Sequence, residues 1–236
     1  MTFRKKTLIF TFLAAMVFSS VANAASETTL EDVSVLPIFS SPEKEVLILK
    51  TNSSDLRTAG MAWFKLAGLE VDDAATEAVL KFDQLVESGA DDPLTRAYLG
   101  SAYIMKARDS FFIPMRVRRV RTGLKYLNSA MEDAPDNYAV RLLRASSTYN
   151  LPDIFDYRGA VISDLEWLVA KVGSGDPAPV VGSIEHGRLI AALAKMHLIQ
   201  KQPEQAQPWV SLLERDFQDV DEISSIAMQL RALMKQ

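Results

Sequence analysis

From position 53 to the C-terminal end, apolar residues recur at steps of three and four between Gly, Pro and Asn stops, and this period dictates helices. Ala59, Ala62, Trp63 and Leu66 form one such face, and Ala75, Val79, Phe82, Leu85 and Val86 another, which Gly89 ends. Asp91-Asp92-Pro93 is a helix start, an acidic cap followed by Pro in the first turn. The spacing predicts further helices over 117–133, 138–150, 157–172, 184–200, 204–216 and 220–235, with Pro135-Asp136-Asn137 as a break and cap. The last has the cleanest stripe: Val220, Ile223, Ile226, Ala227, Leu230, Leu233 and Met234. Gly173-Ser174-Gly175-Asp176-Pro177-Ala178-Pro179 reads as a loop. Residues 26–50 read as irregular, punctuated by Pro37 and Pro42, with one short strand over Glu45-Val46-Leu47-Ile48-Leu49. The expectation is an all-α chain of seven or eight helices joined by short loops.

The N-terminus carries an export pattern. Arg4, Lys5 and Lys6 precede an apolar run over 8–18, and Ala22-Asn23-Ala24 supplies the small residues of a cleavage site. Eleven helical residues cover ~16 Å, about half of a ~30 Å hydrocarbon core, so the run reads as a cleavable signal rather than a membrane span. The pattern looks bacterial, which makes the periplasm the expected destination. The expected organisation is a signal peptide over 1–24, an irregular segment over 25–52 and a helical domain over 53–236. Cleavage would remove three basic residues and no acidic one, leaving a net charge of −7, which argues against general nucleic-acid binding. With no Cys, the chain has no disulfide, thiolate metal site or lipid-anchored cysteine.

The helices also read as repeating pairs. Leu99-Gly100 is followed by Tyr103, and then Gly123, Leu127, Ala130 and Pro135 occur at steps of four, three and five. Over 94–135 this resembles a tetratricopeptide repeat, with small residues where two helices cross and about eleven extra residues between the two signatures. Leu193-Ala194, His197, Ala206, Val210 and Leu213 repeat the spacing without an insertion. Weaker copies are Arg144-Ala145, Thr148, Ala160, Asp164, Trp167 and Ala59-Gly60, Trp63, Ala78, Phe82, Leu85. The resemblance implies a right-handed α-solenoid of about four helix pairs with 220–235 as a capping helix, since each pair has a face it cannot bury alone.

No nucleophile elbow, phosphate loop or His-Glu-x-x-His motif is present. His186 and His197 lie eleven residues apart, ~16 Å along a helix, too far to share one metal. Asp153, Asp156, Asp164 and Glu166 are carboxylates at or near helix starts, where caps are the ordinary use. Two regions are candidate partner-binding surfaces. In the first, Arg116, Arg118, Arg119, Arg121 and Lys125 follow Phe111-Phe112-Ile113-Pro114-Met115, with Lys106 and Arg108 just before. This is a basic lip with an apolar wedge, suited to an acidic segment or lipid headgroups. In the second, the tetratricopeptide resemblance implies a groove of first helices, with Tyr149, Asn150, Arg188 and Lys195 on its wall. The expected function is a non-catalytic periplasmic adaptor for a protein or peptide, with no metal and no cofactor. The alternative is an accessory subunit of an envelope machine docking through 106–125, with peripheral envelope contact and no membrane span. A third reading is a helical cell-wall enzyme, which would need a catalytic domain beyond the repeats.

Overall fold

The structure, a computed structural model, describes residues 29–35, 43–173 and 181–235. The expected signal segment, the Pro37 and Pro42 breaks and residues 174–179 of the predicted 173–179 loop lie outside the described residues; Gly173 ends α7. Among the described residues the chain is all-helical, with ten α-helices, one 3-10 turn and no strand. The helices are α1 (Lys44–Thr51), α2 (Leu56–Gly68), α3 (Ala74–Glu87), α4 (Pro93–Arg108), α5 (Ile113–Asp133), α6 (Tyr138–Thr148), α7 (Arg158–Gly173), α8 (Ser183–Ile199), α9 (Pro203–Asp216) and α10 (Asp221–Leu233).

Several starts follow directly from the sequence. The Asp55 carboxylate accepts from the Thr58 backbone N–H at 2.8 Å, and Asp92 accepts from that of Thr95 at 3.0 Å. Asn137 accepts from the backbone of Ala139 and Val140. Each satisfies N–H groups that the first helical turn leaves without an internal partner.

The expected strand at 45–49 is instead α1. An isolated strand would leave its backbone N–H and C=O groups without a ladder, whereas a helix satisfies them internally. Leu47 alone in α1 is buried, against Leu66 and Ala67 of α2, while Val46, Ile48 and Leu49 are exposed. The segment expected to be irregular over 25–52 thus contains a helix.

Consecutive helices pack on one another from α1 to α10, and contacts also join the alternate helices α2–α4, α4–α6 and α8–α10. Within α4–α5 the backbones approach closely: a Cβ at Gly123 would lie 2.5 Å from the Gly100 carbonyl oxygen. In α2–α3 the corresponding contact is Gly60 against the Phe82 ring, which lies 3.2 Å from where a Cβ would stand.

The largest core surrounds α8, in which Leu189, Ile190, Ala191, Ala192, Leu193 and Ala194 are all fully buried. A helix that is apolar on all sides needs neighbours on all sides. α7, α9 and α10 supply three. Residues 29–35 supply more cover: Val33 and Val35 are buried in the same core, and the Val33 carbonyl accepts from Lys195 Nζ at 2.6 Å.

Candidate functional site

The basic lip is the turn between α4 and α5 together with the first turns of α5. The sequence predicts a helix from 117; α5 begins four residues earlier, at Ile113, with Phe112 as its N-cap and Pro114 in the first turn. Pro is suited to that place because its missing N–H would be unpaired there in any case. The extra residues of the predicted insertion therefore lengthen helices rather than form a separate loop. The first fully buried side chain of α5 is Val120; before it Arg116, Val117 and Arg119 are half-buried, and the residues from Phe111 to Met115 are exposed.

On this tip Phe111 is 92% exposed, Phe112 63%, Ile113 61% and Met115 37%. Four large apolar side chains in five positions thus form one exposed patch, where an isolated exposed residue would need no explanation. The other end of the turn is braced. Arg108 donates to the Ala67 carbonyl at 2.8 Å and pairs with Asp109 at 3.2 Å and Glu70 at 3.7 Å.

The cations divide into two sets. Arg119 donates to the Lys106 carbonyl at 3.0 Å, tying α5 to α4, and Arg116 is half-buried and engaged. Arg118, Arg121 and Lys125 are exposed, and their side chains make no ion pair or hydrogen bond among the described residues. Their spacing of three and four puts them on one helix face. At 100° per residue that face lies opposite the buried Val120, Gly123 and Leu127. The unpaired part of the charge is thus an outward stripe.

The predicted groove residues are not brought together as an open wall. Tyr149 is 5% exposed and its hydroxyl donates to the Ala192 carbonyl at 3.1 Å, so it is a core residue. Burial pushes the Tyr149 phenol well above its ordinary range. Asn150 is exposed just past the end of α6. Lys195 is spent on the Val33 carbonyl, with burial pulling its ammonium down and Glu31 partly offsetting that. Arg188 pairs with Glu222 at 2.6 Å. Beside this pair a cavity of about 330 Å³ is walled by Asp32, Val35, Arg188, Glu222 and Gln229. The sequence reading does not anticipate the segment over 29–35 here. The alternation of Asp32, Val33, Ser34 and Val35 is the available signal, a short extended run with one apolar side.

The titratable candidates occupy structural places. His197 is 3% exposed, its ring 3.4 Å from the Gln202 amide oxygen. The His186 ring meets the Phe217 ring edge-on, and burial lowers its pKa, partly offset by Asp216. Asp164 is fully buried between Arg141, at 3.0 Å, and Arg144, which grips it with a fork at 2.6 and 2.7 Å. Asp153 pairs with Arg158, and Asp156 takes a positive φ of 49° after the 3-10 turn. Among the described residues no three His, Cys, Asp or Glu side chains gather as metal ligands, and no helix is long and apolar enough to cross a membrane.

No protein-family model, curated protein or solved structure matches the chain. The site reading therefore rests on the geometry of the chain itself.

Proposed function

We propose that the chain is a non-catalytic adaptor of the bacterial cell envelope that docks through the exposed α4–α5 tip. The periplasmic destination rests on the three-part signal over 1–24. The tetratricopeptide-like reading takes α2/α3, α4/α5, α6/α7 and α8/α9 as the pairs of a right-handed stack and α10 as its cap. It is supported by the close crossing at Gly100 and Gly123 and by the contacts of α4 with the first helices on either side, α2 and α6.

The observation that carries the docking reading is the coincidence of two exposed features on one helix end. Phe111, Phe112, Ile113 and Met115 have no core to enter, and Arg118, Arg121 and Lys125 have no anion among the described residues. Apolar side chains in a desolvated contact supply most of the affinity of an interface, while unpaired charges on its rim speed encounter. A peptide groove over Tyr149, Asn150, Arg188 and Lys195 is less well supported, because three of its four residues are engaged within the chain.

Co-sedimentation with washed cell envelopes tests this. The parent chain sediments with them. Arg118→Glu with Arg121→Glu weakens that retention in a salt-sensitive way, and Phe111→Ala with Phe112→Ala weakens it at every salt concentration. Equal retention of all three proteins would reduce the tip to a solvated corner.

A further inference from the structure

The docking reading leaves the chemistry of the docked surface open, and the order of polarity along α5 narrows it. The outermost residues are apolar: Phe111, Phe112, Ile113 and Met115. The unpaired cations Arg118, Arg121 and Lys125 follow on the outward face. At 1.5 Å per residue, that stripe is about 10 Å long and begins about 8 Å behind Ile113. An apolar end followed by a cationic band and then an acidic body reproduces the order of hydrocarbon, phosphate and water across a bilayer interface. Amphipathic elements that bind at this depth bury their apolar side ~5–10 Å below the headgroups. Resting on the docking reading, we propose that the α4–α5 tip inserts at the surface of an anionic phospholipid bilayer. The four apolar side chains reach the acyl boundary and the three cations meet lipid phosphates.

Three features favour a bilayer over a pocket in a protein. The apolar patch lies at the α4–α5 turn and the start of α5, with Phe111 92% exposed and hence contacted by almost nothing in its own chain. A fluid headgroup layer can reach such a tip from every side. The cations are long side chains, able to keep their heads at phosphate level while their stems lie along apolar surface. Asp109, two residues before Phe111, and Glu70 are already paired with Arg108. The remaining acidic residues weaken attraction little once they lie beyond the ~8 Å screening length of physiological salt.

Flotation of the full mature chain with lipid vesicles tests the proposal. Vesicles of phosphatidylcholine containing phosphatidylglycerol are compared with phosphatidylcholine alone, and circular dichroism checks each variant for folding. The expected result is at least roughly tenfold tighter binding to the anionic vesicles, lost on Arg118→Glu with Arg121→Glu and weakened by raised salt. Phe111→Ser with Phe112→Ser, still folded, loses binding to both vesicle types. If no vesicle binds while tip variants still lose retention on cell envelopes, the bilayer proposal is overturned: the occupant is a protein and the docking reading stands. If neither vesicles nor envelopes depend on the tip, both readings fall. Equal binding of parent and charge-reversed chain to anionic vesicles also overturns the proposal.

Discussion

Gly100 of α4 and Gly123 of α5 stand back to back: a Cβ on either would come within 2.6 Å of the other's carbonyl oxygen. The contact is backbone against side-chain position, so it cannot be relieved by turning a rotamer. Leu127 completes the crossing, its Cγ 2.9 Å from the Cβ position of Gly100.

Gly123→Ala therefore forces the two helices apart. Ala gains about 1 kcal/mol of helix propensity over Gly, yet overpacking is expected to leave a net loss of about 1–3 kcal/mol. For a chain of this size that lowers the melting midpoint by roughly 3–10 °C. Gly159→Ala is the control, since nothing lies within 4 Å of its Cβ position in α7, and it should raise the midpoint slightly. A midpoint for Gly123→Ala equal to or above that of the parent would remove the close crossing from the account.

Asp164 is the second critical position. Its buried carboxylate is shared by Arg141 and Arg144, and Arg141 also lies over the Trp167 ring at 4.7 Å. Removing the anion leaves two nearly buried guanidinium groups without it. Asp164→Ala should cost about 3–5 kcal/mol in urea unfolding, with Asp164→Asn falling between it and the parent. A loss below about 1 kcal/mol would mean that water compensates the arginines.

The cap of α4 gives a pH dependence. Burial works to raise the Asp92 carboxyl, but hydrogen bonds from Thr95 and Arg57 outweigh it and hold the group at about 2. A carboxylate depressed on folding contributes stability above its unfolded pKa and loses it as pH falls through its folded pKa. The stability difference between the parent and Asp92→Asn should thus be constant from pH 7 to about 4 and shrink toward pH 2. Asp92 is 44% exposed on its side chain, so the difference should be under about 1 kcal/mol. A gap that grows on acidification has the wrong sign.

The 29–35 segment is a structural part of the α8 core. Val33→Ala and Val35→Ala should each cost about 1–2 kcal/mol, whereas Glu31→Ala, at an exposed position, should stay within about 0.5 kcal/mol. Chemical denaturation of the three variants checks the alternation. Equal small effects at 31, 33 and 35 would detach the segment from the core.

The helix starts are the most legible part of the sequence. Asp92-Pro93 and Asn137 act locally, through their own backbone neighbours, so a single stretch of residues suffices to recognise them. The 45–49 run misleads because four consecutive apolar residues fit either period, and the missing partner strand is a property of the whole chain. Tyr149 and Lys195 read as a groove wall because helical spacing gives a face but not what covers it. Their partners, Ala192 and Val33, lie 43 and 162 residues away. The lip is legible as composition. Its division into engaged and unpaired cations is not, because that depends on how α5 lies against α4.

The most direct test of the docking account is photo-crosslinking in intact cells. A benzophenone amino acid is placed at Phe112 in one protein and at Met228, which is 64% exposed on α10, in another. The account predicts adducts, lipid or protein, from position 112 that are absent from position 228 and disappear when Arg118 and Arg121 are changed to Glu. The same adducts from both positions, or none from 112, would contradict it.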